Sequence, residues 1–144
     1  MLLKTDWAPL IPHAGRMCLL DAVLAWDEQT IHATSEGHAR AENPLRGPLG
    51  LHAVHLAEYG AQAMATHGAL LARARGIEEV RPGRLVSLRD VQLFEEYVDQ
   101  LNGHLDVHAE CLYASESGAQ YAFRVEHCGH LLASGRAAVI HPGS

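Results

Sequence analysis

With 144 residues, the chain is one domain by size and can bury a single real core, but not two. Hydrophobic residues make up 48% of it with no low-complexity tract between them, which excludes a disordered linker. The formal charge is −6 and the basic residues, almost all arginine, are scattered; nucleic acid and anionic membranes, which need a concentrated basic patch, are not expected partners.

The opening stretch MLLKTDWAPLIPHAG is apolar, but Asp6, Pro9 and Pro12 interrupt it before a signal-peptide core reaches useful length. No run of about 20 apolar residues exists, so no membrane span is expected. Cys18, Cys111 and Cys128 are odd in number, far apart and in no C-x-x-C pair. Buried thiols in a reducing cytoplasm fit them best. MCLLDAVLAW (17–26) and TIHATSEG (30–37) read as two short strands joined by a DEQ turn. HARAENPLRGPLG (38–50), with two prolines, two glycines and Asn43, reads as an ordered loop that delivers the chain to a helix.

That helix is predicted from Pro48 to Arg75, with proline in its first turn and Gly76 in the C-capping position. Ala53, Ala57, Gly60, Ala61, Ala63, Ala65, Gly68, Ala69 and Ala72 leave almost no exposed polar face, so the helix should be wrapped closely on most sides. Four strands follow. RLVSLRDVQLF (84–94) changes phase between Leu88 and Val91, which a bulge near Arg89 and Asp90 would reconcile. HLDVHAECLY alternates, placing Leu105, Val107, Ala109, Cys111 and Tyr113 on one face; QYAFRVEH repeats the alternation through Tyr121, Phe123 and Val125. LLASGRAAVI (131–140) is apolar on both faces, as a strand with neighbours on both sides would be. The turns SESG (115–118) and CG (128–129) make the last three strands consecutive hairpins. The sum is an α+β fold in which a curved antiparallel sheet wraps one long helix.

By spacing alone, Glu58 reads as a solvated residue on a helix edge and His38 as a surface or capping residue. His52, His55 and Glu58 invite a zinc reading, yet successive steps of three turn about 300° each and no zincin motif is present, so no metal is expected. His67 and Met64 read as helix packing or surface, and Asp21 as a local hydrogen-bond anchor.

The order of elements resembles the hot-dog fold, and more narrowly the bacterial 3-hydroxyacyl acyl-carrier-protein dehydratases. IPHAGRMCLLDAVLAW, GHARAENPLR (37–46) and EYGAQA (58–63) carry the resemblance; with NPLR and AQAMATHGAL they are similar to the dehydratase subfamily found with aryl-polyene biosynthesis genes. The resemblance covers nearly the whole chain, 1–144, as a single hot-dog domain. It implies His38 as catalytic histidine and Glu58 as catalytic acid, with Gln62 one turn on and able to hydrogen-bond the acid. Two departures stand out: ARAENPLRG replaces the Phe-Pro-Gly that follows the histidine in fatty-acid enzymes, and Ala53 stands where a glycine is expected.

On that reading neutral His38 takes a proton from C2 of a 3-hydroxyacyl thioester, and Glu58, its neutral form favoured by apolar packing, donates to the C3 hydroxyl. Free backbone amides near Gly50 and Leu51, at the predicted helix start, would face the thioester oxygen. His55 is a rival base on the same helical face as Glu58. No cofactor is implied beyond the phosphopantetheine that carries the substrate on an acyl carrier protein, whose acidic face or phosphate Arg81, Arg84 or Arg89 could meet. Partners are therefore an acyl carrier protein and a second subunit, either a homodimer mate or a paralogous hot-dog chain, with histidine and acid supplied by different subunits. A hot-dog acyl thioesterase and a non-catalytic partner subunit of a dehydratase hetero-complex remain open alternatives.

Overall fold

The structure, a computed structural model, describes residues 1–7, 18–76 and 84–140. Asp27 makes the first hairpin: its carboxylate accepts from the amides of Gln29 and Thr30 and from the Thr30 hydroxyl, closing the DEQ turn between β2 (Ala22–Trp26) and β3 (Thr30–Ser35). Before it lie two elements not expected from the sequence, the two-residue strand β1 (Leu2–Leu3) and one turn of helix, α1 (Lys4–Trp7). β2 begins at Ala22; Cys18–Asp21 precede it without strand structure, so the strand expected over 17–26 is shorter than its apolar run. Likewise β3 stops at Ser35, and Gly37–Ala39 turn into a 3-10 helix.

The central helix α2 spans Leu56–Ala74, entered through a 3-10 turn at Ala53–His55. It begins well after Pro48, the start expected from sequence. The cause is pairing: Val98 donates to the Leu51 carbonyl and Ala53 to the Glu96 carbonyl, flanking a bridge between His52 and Tyr97, so the chain stays extended through His52 before it turns. Gly76, with φ +77°, ends the helix as expected.

Four strands complete the fold: β4 (Arg84–Leu93), β5 (Leu105–Ala114), β6 (Gly118–His127) and β7 (His130–Ile140). All seven form one antiparallel sheet in the order β1-β2-β3-β5-β6-β7-β4. The register of β4 slips between Arg89 and Gln92, where Asp90 takes φ +54°, which is the bulge the phase change calls for. Cys128 and Gly129, both at positive φ, make the tight β6–β7 turn.

The sheet curls around α2, which packs on β3, β5, β6 and β7. Leu105, Val107, Ala109, Tyr121, Phe123, Val125, Ala133 and Ala137 meet Leu56, Tyr59, Ala63, Met64, Ala69 and Leu70 in one core. The approach is closest at Gly60: a Cβ there would lie 2.7 Å from the Phe123 ring. This is the tight wrapping that the small residues of α2 imply. One inward assignment fails. Tyr113 is 64% exposed and Cys111 only half-buried, because the β5–β6 register shifts between Cys111 and Tyr113. The alternation on which the assignment rests stops there.

Candidate active site

His38 sits in the 3-10 turn after β3 and is 1% exposed. Its Nε2 lies 2.8 Å from the Leu101 carbonyl. A carbonyl only accepts, so Nε2 carries the proton and Nδ1 presents a lone pair in the neutral ring. That Nδ1 is buried and, among the described residues, has no hydrogen-bond partner. Leaving a buried acceptor unmatched costs about 1–3 kcal/mol, so this nitrogen has a lone pair available to a further partner. Burial pushes the His38 pKa below its ordinary value; the Leu101 carbonyl and the carboxylates of Asp99 and Glu36 act the other way, and His127 adds to the depression.

A buried polar chain fixes the turn that carries His38. Asn43 Nδ2 donates to the Gly37 carbonyl and to the Tyr59 hydroxyl, both at 3.0 Å, while its Oδ1 accepts from the Leu45 amide at 2.9 Å. Tyr59 belongs to α2 and is fully buried, so Asn43 ties the histidine turn to the helix. Ser35 donates to the Leu19 carbonyl at 2.6 Å and receives the Gly37 amide at 3.4 Å.

Glu58 is in the first turn of α2, half-buried on the face that also carries Ala57, Ala61 and Ala65. It is less enclosed in this chain than the apolar surroundings of the helix suggest. Gln62, one turn on, is fully buried and its Oε1 accepts from the Leu19 amide at 2.8 Å. Gln62 and Ser35 therefore hold the Leu19 peptide from both sides. His55 closes the 3-10 turn, its amide bonded to the His52 carbonyl, with its ring half-exposed.

The expectation for Gly50 and Leu51 is overturned in its physical basis. The Gly50 amide is bonded to the Gly47 carbonyl at 3.1 Å and the Leu51 amide to Asp99 Oδ1 at 2.9 Å. Neither is a free helix-end donor, because the helix begins further on and the segment is pinned against 96–99. Asp21 acts as the anchor expected of it, accepting from the Glu36 amide at 2.6 Å. His67 is wholly interior, between the Tyr121 hydroxyl at 2.7 Å and the Asp27 carbonyl at 2.8 Å. The Pro12–His13 pair and Arg81 lie outside the described residues, as does the Arg84 side chain; Arg89 lies at the β4 bulge, opposite Arg136. Among the described residues no three His, Cys, Asp or Glu side chains are grouped to hold a metal ion.

Compared with known families, residues 5–144 match the ApeP-like family, described as ApeP dehydratase. The chain belongs to that family. Solved structures agree on the hot-dog fold. The dehydratase heterocomplex ApeI:P from Xenorhabdus doucetiae superposes with a TM-score of 0.87 at 22% identity, covering 100% of this chain and 94% of that one. A hypothetical thioesterase protein with coenzyme A from Streptococcus pneumoniae gives a TM-score of 0.67 at 10% identity, covering 98% of each chain. The zebrafish thioesterase superfamily member 2 gives 0.64 at 16% identity, covering 98% of this chain and 99% of that one. A search of curated proteins by sequence returns no match.

Sequence reading missed the residues that position the histidine: Asn43, Tyr59, Ser35, Asp99 and Leu101. Asn43 and Pro44 signal a turn, but nothing local says that the asparagine reaches a tyrosine on the following helix. The Leu101 carbonyl is backbone and leaves no mark in the sequence at all.

Proposed function

We propose that the chain dehydrates 3-hydroxyacyl thioesters carried on an acyl carrier protein, with His38 as base and Glu58 as acid. The buried, unmatched Nδ1 of His38, on a ring whose other nitrogen is committed to Leu101, is the observation that carries this reading. Nδ1 accepts the C2 proton, the C2–H electron pair becomes the C2=C3 bond, and the C3 hydroxyl leaves as water with the proton from Glu58. His38 ends protonated and Glu58 ionised, so one proton passes back between them through water before the next turnover. The depressed His38 pKa keeps the ring neutral and ready at pH 7.

The acid comes to the histidine across a subunit boundary on this reading. β4 is an outer strand of the sheet, and Leu85, Leu88, Val91, Leu93 and the following Phe94 are between 38% and 51% exposed. Apolar side chains along an outer strand suit pairing with a second hot-dog subunit. The mate is a second copy or a paralogue; the similarity to a heterocomplex favours the paralogue. Aryl-capped, conjugated acyl chains are the substrates proposed, in line with the ApeP-like family, and three free thiols suit a cytoplasmic setting.

The test is intact-mass analysis of carrier-protein-bound 3-hydroxyacyl chains incubated with the protein and with His38→Ala or Glu58→Ala. Loss of one water is expected with the wild type, and a fall of about 10²–10⁴ in kcat/KM with either variant. Release of free acid by the wild type would replace this reading with a thioesterase. Absence of turnover until a paralogous subunit is added, with His38→Ala then silent, would make the chain a non-catalytic partner.

A further inference from the structure

Asp99 is 7% exposed and carries no assigned role. Its Oδ1 accepts from the Leu51 amide at 2.9 Å, and its Oδ2 accepts from Gln100 Nε2 at 3.1 Å and lies 3.4 Å from Arg46 Nη2. The backbone opposite is shaped around this carboxylate. Gly50 has φ +117°, and a Cβ there would fall 2.2 Å from Asp99 Oδ1, so both the conformation and the space demand glycine.

Two connections run from Asp99 to His38. Along the chain, Leu101 donates its amide to the Val98 carbonyl, forming a turn with Asp99 inside it; the Leu101 carbonyl leaving that turn takes the His38 N–H. Through space, Arg46 reaches from Asp99 to the carbonyls of Ala39 and Arg40 at 3.5 and 3.4 Å, the two residues that follow His38. The circuit closes: Asp99 to Arg46, to the backbone beyond His38, through the imidazole to Leu101, and back to Asp99.

We propose that Asp99, acting with Arg46, is a positioning residue that sets the orientation and tautomer of His38. This inference rests on the assignment of His38 as the base. A carboxylate at this place acts on both sides of the histidine: it anchors the 98–101 turn, whose Leu101 carbonyl takes the ring N–H, to the Leu51 amide, and it holds the guanidinium that reaches the backbone after His38. Without it the Leu101 carbonyl loses its fixed direction, Nε2–H is no longer favoured over Nδ1–H, and the lone pair that takes the C2 proton is lost in part of the population. Arg46 belongs to the NPLR motif, which thereby gains a function: Asn43 ties the histidine turn to the helix and Arg46 ties it to Asp99. The negative charge of Asp99 also favours protonated His38, and replacing it by a neutral side chain moves the histidine's titration to lower pH.

The experiment is NMR of histidine-labelled protein, read at the His38 ring nitrogens, on wild type, Asp99→Asn and Arg46→Gln. Asparagine keeps an acceptor for Leu51 and removes the charge; glutamine leaves Asp99 in place and removes the bridge. The wild type should show a single Nε2–H tautomer. Both variants should show mixed tautomers, and Asp99→Asn a lower His38 pKa, while the buried His67 signal stays in place as a control for folding. In turnover, kcat should fall on the order of tenfold or more with KM nearly unchanged, and the acid limb of kcat/KM in Asp99→Asn should move to lower pH with the NMR titration. If His38 keeps its tautomer and titration in both folded variants, the proposal is wrong. The NMR arm needs no turnover, so a wild type that fails to dehydrate would end the dehydratase reading and leave the positioning inference to be decided by the spectra.

Discussion

Gly60→Ala is the sharpest test of how the sheet holds the helix. The new methyl would lie 2.7 Å from Cδ2 and Cγ of Phe123 and 3.1 Å from its Cβ, against about 3.5–4.0 Å for comfortable carbon contacts. The ring must retreat by roughly 1 Å. Its other end already lies close over Gly135 of β7, where a Cβ would fall 2.9 Å from Cε1 and Cζ, so the ring has little room to retreat in that direction. Alanine in place of glycine favours a helix by about 1 kcal/mol. Overpacking costs about 1–3 kcal/mol, and a ring held at both ends belongs at the upper limit, leaving a net loss of about 2 kcal/mol. For a chain of this size that lowers Tm by about 4–8 °C. Urea unfolding with an unchanged m-value should register it. Phe123→Leu, which empties the space the methyl needs, should make the double variant less destabilised than the sum of the two by about 1 kcal/mol or more. A Gly60→Ala protein as stable as wild type, or an additive cycle, would refute the reasoning.

Two further expectations concern acid and assembly. His67 is fully buried, donates from Nε2 to Asp27 and accepts at Nδ1 from Tyr121; burial lowers its pKa, as it does those of His38 and His108. The unfolded chain then takes up protons first, so stability is complete above the unfolded histidine pKa of about 6.5 and is lost as pH falls through the folded values. Urea midpoints should drop between pH 7.5 and 5, and His67→Gln should flatten part of that slope; an unchanged slope would remove His67 from the account. Leu88, 42% exposed on β4, is the position for a charge: Leu88→Lys should convert the assembled protein to monomer by light scattering with its far-ultraviolet circular dichroism intact. A variant that stays assembled would move the interface elsewhere.

Much of this architecture was readable in the sequence because it rests on local alternation. The β4 bulge announced itself as a phase change at Arg89 and Asp90, and the wrapped helix as a surplus of Ala and Gly. What could not be read depends on partners distant in the chain. Pro48 signals a helix start, but Glu96 and Val98 pair with residues 51–53 and keep the chain extended through His52, and only the fold brings those strands of chain together. Nor could the sequence show that the Gly50 amide is taken by the Gly47 carbonyl and the Leu51 amide by Asp99, so that neither is a free helix-end donor. For His38, the residue itself stood out through its family resemblance, whereas its tautomer depends on a backbone carbonyl 63 positions away, which no side-chain pattern encodes.

The order of the strands also dictates when the sheet can be finished. β4 follows the helix directly, yet its partner is β7: Arg84 lies beside Ile140 and Leu93 beside Ala133. A ribosome therefore releases β4 long before the strand it must bond to has been made. During that interval Leu85, Leu88 and Phe94 belong to a segment with no ladder of its own, the kind of exposed apolar stretch on which chaperones act and aggregates nucleate. The subunit pairing proposed along β4 would then wait for nearly all of the chain, so mates would be chosen among finished molecules rather than between nascent neighbours. Were the mate a paralogue, as proposed, that delay would give two separately synthesised chains time to find each other.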